Sequence, residues 1–194
     1  MKKVIVCLLI VLCTACCGND DNTIDGATDI QIATGMILTD VVGNKVGAFG
    51  NPNVLTRITV EDDTNTDATS DDGNLTVGEI VNNIAVYPSL TTNGYFSIGA
   101  SKTVEKVWLV KAAVSKKYQD VDYSTLLTNS LYTEEEISDV ATITLALNAS
   151  SSPVINISDM EQGIYKVFML FSDGEIAWDI ISVGYTYDEL TTLW

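Results

Sequence analysis

The sequence predicts an all-β protein, an antiparallel β-sandwich with a short helical insertion and an N-terminal β extension. Three observations carry this. Short runs with period-two apolar alternation recur from residue 29 to residue 183. The links between them are rich in Gly, Asn, Asp and Ser, the residues that turns require. Ser172-Asp173-Gly174 separates two apolar runs, and Asp-Gly so placed is a strong hairpin signal. Heptads, repeats of fixed period and any apolar run of membrane-spanning length are absent.

Residues 29–39 (DIQIATGMILT) alternate as a strand, with Ile30, Ile32, Met36 and Leu38 as the apolar set. Gly43-Asn44 marks a turn, and Gly50-Asn51-Pro52-Asn53 marks another; Gly43, Gly47 and Gly50 read as turn glycines. Residues 54–61 (VLTRITVE) are strand-like again. Residues 61–79 change character, rich in acids and without a base, as a long loop or linker. Strands follow at 84–88, 95–98 and 104–111; the last is apolar on both faces, as a central strand requires.

Residues 118–140 break the pattern, with a short helix expected within 122–131. Thr133 and Glu136 form a capping-box pair, and acids fill the first turn after it. Residues 141–147 and 154–157 return to strand, and the hairpin of 163–171 and 175–182 completes the set. The organisation expected is a leader at 1–15, a flexible tether at 16–23, a small β region at 24–80 and an Ig-like sandwich at 81–194. The β region is either separate or packs extra strands on the second part.

The chain has 194 residues, 10 Lys+Arg against 26 Asp+Glu, no His and 4 Cys, for a net charge of −16. An apolar fraction of 46% sets it apart from disordered acidic tails. The acidic balance excludes nucleic acid, which needs a basic face. The lack of His excludes Ser-His-Asp and Cys-His catalysis and every His-containing zinc site.

Lys2 and Lys3 precede an apolar run from Val4 to Leu12, too short to span a bilayer and shaped like a secretory signal. All four Cys lie within the first 17 residues, whereas a disulfide framework would scatter them through the fold. Cys13-Thr14-Ala15-Cys16 resembles the lipobox of bacterial lipoproteins. The resemblance implies lipidation of Cys16, with Cys17 as the alternative, and loss of the leader. Two or more acyl chains anchor a protein stably. Loss of residues 1–15 removes two lysines and no acid, moving the charge from −16 to −18. Asp20-Asp21 resembles the acidic export signal of Bacteroidota surface lipoproteins, which implies an outer-membrane or cell-surface location.

Val86-Tyr87-Pro88, Gly94-Tyr95-Phe96-Ser97-Ile98 and Gly163-Ile164-Tyr165-Lys166-Val167 resemble the opening and closing strands of the type IX secretion C-terminal domains of Bacteroidota. The likeness spans residues 84 to about 183 and implies a β-sandwich. Ser89-Leu90 stands where that family has Asn-Pro, an insertion falls between about 112 and 148, and no basic residue follows Lys166.

Candidate sites are few. Asp67, Asp71, Asp72 and Glu79 offer oxygens for Ca²⁺, which takes about six to eight. The EF-hand register that sets Gly73 at its turn puts Ala68 at the first ligand position, so that template fails; a solvated acidic loop is the other reading. No other cofactor is implied. Trp108 and Trp178 lie inside apolar strands and read as core. Tyr185, Tyr187 and Trp194 follow the last strand and form either a further edge strand or an exposed contact patch. The expectation is a lipid-anchored envelope protein with a non-catalytic role in binding, adhesion or assembly, its partner an envelope protein. A glycan-binding accessory protein of polysaccharide uptake is the alternative, and a carboxylate-dependent glycoside hydrolase is a further one.

Overall fold

The computed structural model describes residues 24–55, 84–127, 131–150 and 152–194. In chain order the strands begin with β1 (Ile32–Ala33), β2 (Gly35–Thr39), β3 (Lys45–Gly50), β4 (Ile84–Tyr87) and β5 (Leu90–Thr91). They continue with β6 (Tyr95–Ala100), β7 (Val104–Val114), β8 (Ile143–Ser150), β9 (Val154–Asn156), β10 (Gly163–Phe171) and β11 (Ile176–Val183). The helices are α1 (Ile24–Ala27), α2 (Glu134–Val140) and α3 (Tyr187–Leu193). The fold is all-β, with sheets packed on one another and short helices added.

The β10–β11 hairpin forms the centre. Every residue of both strands is buried, which their unbroken apolar runs allow. Gly174 takes φ +82° in the connecting turn, a conformation that disfavours other residues. Lys102 clamps that turn by ion pairs to Asp173, at 2.6 Å, and to Glu175. β7 pairs antiparallel with the free edge of β10, setting Trp108 opposite Phe168. The far edge of β7 is shared: β8 pairs antiparallel with its first half and β1 pairs parallel with its end. β5 adds in parallel to β11, and Leu55 bridges to Trp178 on that same strand. The sheet is thus antiparallel at its centre and takes two parallel additions.

One face packs Val107, Leu109, Val167, Met169 and Ile181 against a three-stranded sheet, β4–β6–β9, through Val86, Phe96, Ile98 and Ile155. The other face carries Trp108, Phe168 and Trp178 beneath Ala27, Tyr123, Leu127 and Ile137. Farther along that face, Ile164 and Ile180 meet Ala33, Met36, Leu38 and Leu190. Trp108 and Trp178 are core residues, as their strands require.

Three elements differ from the sequence expectation. The strand expected over 29–39 is two, β1 and β2, broken at Thr34. There the Thr34 amide turns to Asn53 Oδ1 and its hydroxyl to the Asn51 carbonyl. The helix expected within 122–131 shows one 3₁₀ turn, Tyr123–Thr125, with 128–130 outside the described residues. Ser124 and Thr125 donate their hydroxyls back to Asp122, a local bonding that competes with helix. After Gly184 the chain forms α3 rather than a further strand, because Thr186 and Glu189 make a second capping box. The expected box at Thr133 and Glu136 is present and starts α2.

Two ionisable side chains are buried in the central hairpin. Lys166 reaches the Asp29 carbonyl at 2.9 Å, and its Nζ lies 5.9 Å from the Tyr132 ring centre. Burial pushes its pKa down to about 7, against the opposing pull of Asp29. On β11, Asp179 accepts from the Ile180 amide at 2.7 Å, while its Oδ2 finds no hydrogen-bond partner among the described residues. Burial pushes this carboxyl up to about 7, with the Ile180 and Val86 amides acting the other way. Lys166 pairs with Ile180, and Asp179 pairs with Val167. The two side chains therefore face opposite sides of the sheet and cannot neutralise each other.

The signs oppose. Asp179 binds its proton more tightly folded than unfolded, so its stabilisation is full in acid and is lost as pH rises through about 7. Lys166 binds its proton less tightly when folded, so its contribution is full in base and is lost as pH falls through about 7. Asp179→Asn keeps an acceptor for Ile180 and removes the ionisation. Its Tm should rise at about pH 8, by on the order of a few kcal/mol of stability, and the gain should vanish near about pH 4. Thermal melts of both proteins across that range check this.

Candidate functional site

The β2–β3 hairpin and α3 enclose a groove. In the hairpin Met36 pairs with Phe49 and Leu38 with Gly47, so these four positions share one face. Met36 and Leu38 are buried, which fixes that face toward the body of the protein. Asp40 locks the hairpin turn: Oδ1 accepts from the Val42 and Asn44 amides, each at 2.9 Å, and Oδ2 from Asn44 Nδ2 at 3.0 Å. The Asn44 side chain, then the turn amides, holds this carboxyl below the usual carboxylate range. Thr39 ties the hairpin to the β4–β5 link. Its hydroxyl donates to the Val86 carbonyl at 2.7 Å and accepts from the Ser89 amide at 3.0 Å.

The register slips between Leu38 and Thr39, whose partners are Gly47 and Lys45. Val46 is the extra residue of a bulge and is 65% exposed.

α3 packs across the end of this hairpin. Leu190 is fully buried and holds the helix down. Trp194 stacks on Phe49 at 6.2 Å between ring centres and 16° between planes, and its Nε1 donates to the Ala33 carbonyl at 3.4 Å. Tyr187 meets the same Phe49 ring at 5.2 Å and 49°. Between these parts lies a cavity of about 210 Å³. Leu38 and Thr39 of β2, Val46, Gly47 and Ala48 of β3, Leu90 and Tyr187 line it. The space exists because Gly47 has no side chain to place against Leu38 on the inward face.

The groove suits one apolar side chain. Its volume falls below the roughly 300 Å³ at which small-molecule sites begin. Thr39 and Tyr187 carry its polar side-chain groups, and the Thr39 hydroxyl is already bonded to backbone. The lining therefore offers shape and apolar contact.

Of the residues singled out in the sequence, Tyr187 borders the groove and is 55% exposed. Trp194 lies half-buried behind Phe49. Tyr185 is partly buried and packs against the cluster that holds Ile164, Ile180 and Leu190. The three do not form one platform: Phe49 and Trp194 spend ring faces on each other. Phe49, Leu90 and Gly47 are not among the candidate site residues that the sequence offers. Gly47 is a strand residue and not a turn glycine, whereas Gly43 is in the turn at φ +91° and Gly50 closes β3 at φ +57°.

Cys16, Cys17, Asp67, Asp71, Asp72 and Glu79 lie outside the described residues. Among the described residues, no three acids or cysteines gather as metal ligands do. No helix among them is long and apolar enough to cross a membrane.

No protein-family model matches the sequence, and no curated protein does. Among solved structures, the crystal structure of the PmoD soluble domain from a Methylocystis species is similar over 54% of this chain and 93% of that one, with 14% identity and a TM-score of 0.32.

The two strand glycines should respond oppositely to alanine. At Gly47 a Cβ meets only Leu38 Cδ1, at 3.6 Å, so Gly47→Ala should leave stability unchanged or raise it by up to about 1 kcal/mol. At Gly50 a Cβ would lie 2.4 Å from the Thr34 carbonyl oxygen and 2.8 Å from the Trp194 ring. Gly50→Ala should therefore cost about 2 kcal/mol or more. Urea denaturation of the two variants checks the contrast.

Proposed function

We propose that this chain is a lipid-anchored lipoprotein of the bacterial envelope, held at the outer membrane or cell surface through Cys16, or Cys17 in its place. Its β body acts without catalysis, as a binding or assembly element, and the groove between the β2–β3 hairpin and α3 is its contact site. The groove is the observation that carries the binding role. It combines an exposed aromatic, Tyr187, an exposed bulge residue, Val46, and a cavity of side-chain size. Exposed apolar residues gathered at one place are a mark of contact surfaces. Val41 and Val42, in the turn of the same hairpin, are also exposed, at 75% and 68%.

The lipobox-like Cys13-Thr14-Ala15-Cys16 supports the anchoring part. The carboxylate surplus of the chain suits it, since an anionic body is repelled by anionic headgroups and stands off on its tether. Cell fractionation tests the anchor. The wild-type chain should sediment with membranes, and a variant with both Cys16→Ser and Cys17→Ser should move to the soluble fraction. Retention of that variant in the membrane would overturn the anchor.

A further inference from the structure

β3 gives one edge to β2 and leaves the other unpaired among the described residues. That strand is also a wall of the groove, through Val46, Gly47 and Ala48. Residues paired across neighbouring strands share a face. Gly47 and Leu38 are such a pair, and both line the groove with Leu90 and Tyr187. A further strand laid along β3 would put its residue opposite Gly47 on this same face, with its side chain in the cavity. The space is available, because even an added Cβ at Gly47 meets nothing closer than 3.6 Å.

Charge selects the strand. Asp40 adjoins Thr39, and Asp188 and Glu189 follow Tyr187. None of these three carboxylates is in an ion pair among the described residues. Lys45 is the single cation between residues 35 and 50. A second copy of the chain would bring the same carboxylate surplus to the contact.

We infer that β3 accepts an extended segment of a different protein by strand addition. The segment is apolar at alternate positions, with Lys or Arg beside them, and one apolar side chain enters the groove opposite Gly47. Backbone hydrogen bonds supply affinity in this mode, and the side-chain pocket supplies selection. The inference rests on the groove being the contact site proposed above and names what fills it.

A phage-displayed library of random peptides of about 12 residues, panned on the full chain, provides the probe. Peptides that alternate apolar residues with Lys or Arg should be enriched. A synthetic copy should lose at least about tenfold in affinity against Gly47→Val, whose side chain fills the groove floor. Methylation of the peptide's central backbone nitrogens should cost a similar factor on the unaltered protein, since it removes the strand donors without touching the fold. Tyr187→Ala, at an exposed position, gives a second variant should Gly47→Val fail to fold. Enrichment of nothing, or of acidic peptides, would overturn the inference, as would affinity indifferent to backbone methylation. A homodimer or a glycan-array hit that Gly47→Val abolishes would also overturn it, yet would keep the groove as contact site. Peptide binding untouched by both Gly47→Val and Tyr187→Ala would remove the groove as well. The fractionation result is independent of all of these.

Discussion

Burial of the β10–β11 hairpin on both faces imposes most of the architecture around it. A strand that is apolar on one side needs one covering layer; strands apolar on both sides need two. The small β4–β6–β9 sheet supplies the first. The second is assembled from pieces: α1, the 3₁₀ turn and α2 over Trp108 and Phe168, then the β2–β3 hairpin and α3 over Ile164 and Ile180. The mosaic cover has seams, and the groove is one of them. The sheet edges obey the same need for partners, since open backbone groups beside a buried strand must be satisfied. β7 divides its outer edge between β8 and β1, and β11 receives β5 and Leu55.

Polar ties hold the pieces of that second layer together. Asn53 joins three segments: its side chain bonds the Ala27 and Ile32 carbonyls and the Thr34 amide, and its carbonyl accepts from Trp178 Nε1 at 2.9 Å. Asn51 reaches the Tyr118 and Val121 carbonyls, both at 2.9 Å. Gly50-Asn51-Pro52-Asn53 therefore does more than turn the chain. It staples the β2–β3 hairpin to the helical side of the sheet. Lys166 belongs to the same set, with a carbonyl of the segment before β1 as its partner.

What could be read from the sequence was what is local. The hairpin from Gly163 onward announces itself by two apolar runs around Asp173-Gly174, and α2 by Thr133 with Glu136. α3 carries the same signal in Thr186 and Glu189, but the Tyr and Trp residues around it have strand propensity and fit a further edge strand equally well. The two-residue strands β1 and β5 have no period to detect, and their parallel pairing is decided by where the ends of β7 and β11 need partners. The groove is least legible for the same reason. Tyr187 was visible as an aromatic beyond the last strand, but Phe49, Gly47 and Leu90 come from elements far apart in the chain. Gly47 looks like any turn glycine until Leu38 is seen across from it.

The contact between the two ends of the described chain has a consequence in time. Trp194 Nε1 bonds a carbonyl 161 positions earlier, and its ring stacks on Phe49. Contacts so distant in sequence close late, because the intervening chain must first be confined. A chain that emerges from its N-terminus can assemble the central hairpin and both its neighbours before α3 exists. Met36 can already pack on Ile164 and Ile180, but Phe49 of the β2–β3 hairpin lacks its ring partners until α3 and residue 194 have arrived. The proposed contact surface is therefore completed last, and a chain halted short of α3 would lack the Tyr187 wall of the groove and both ring partners of Phe49.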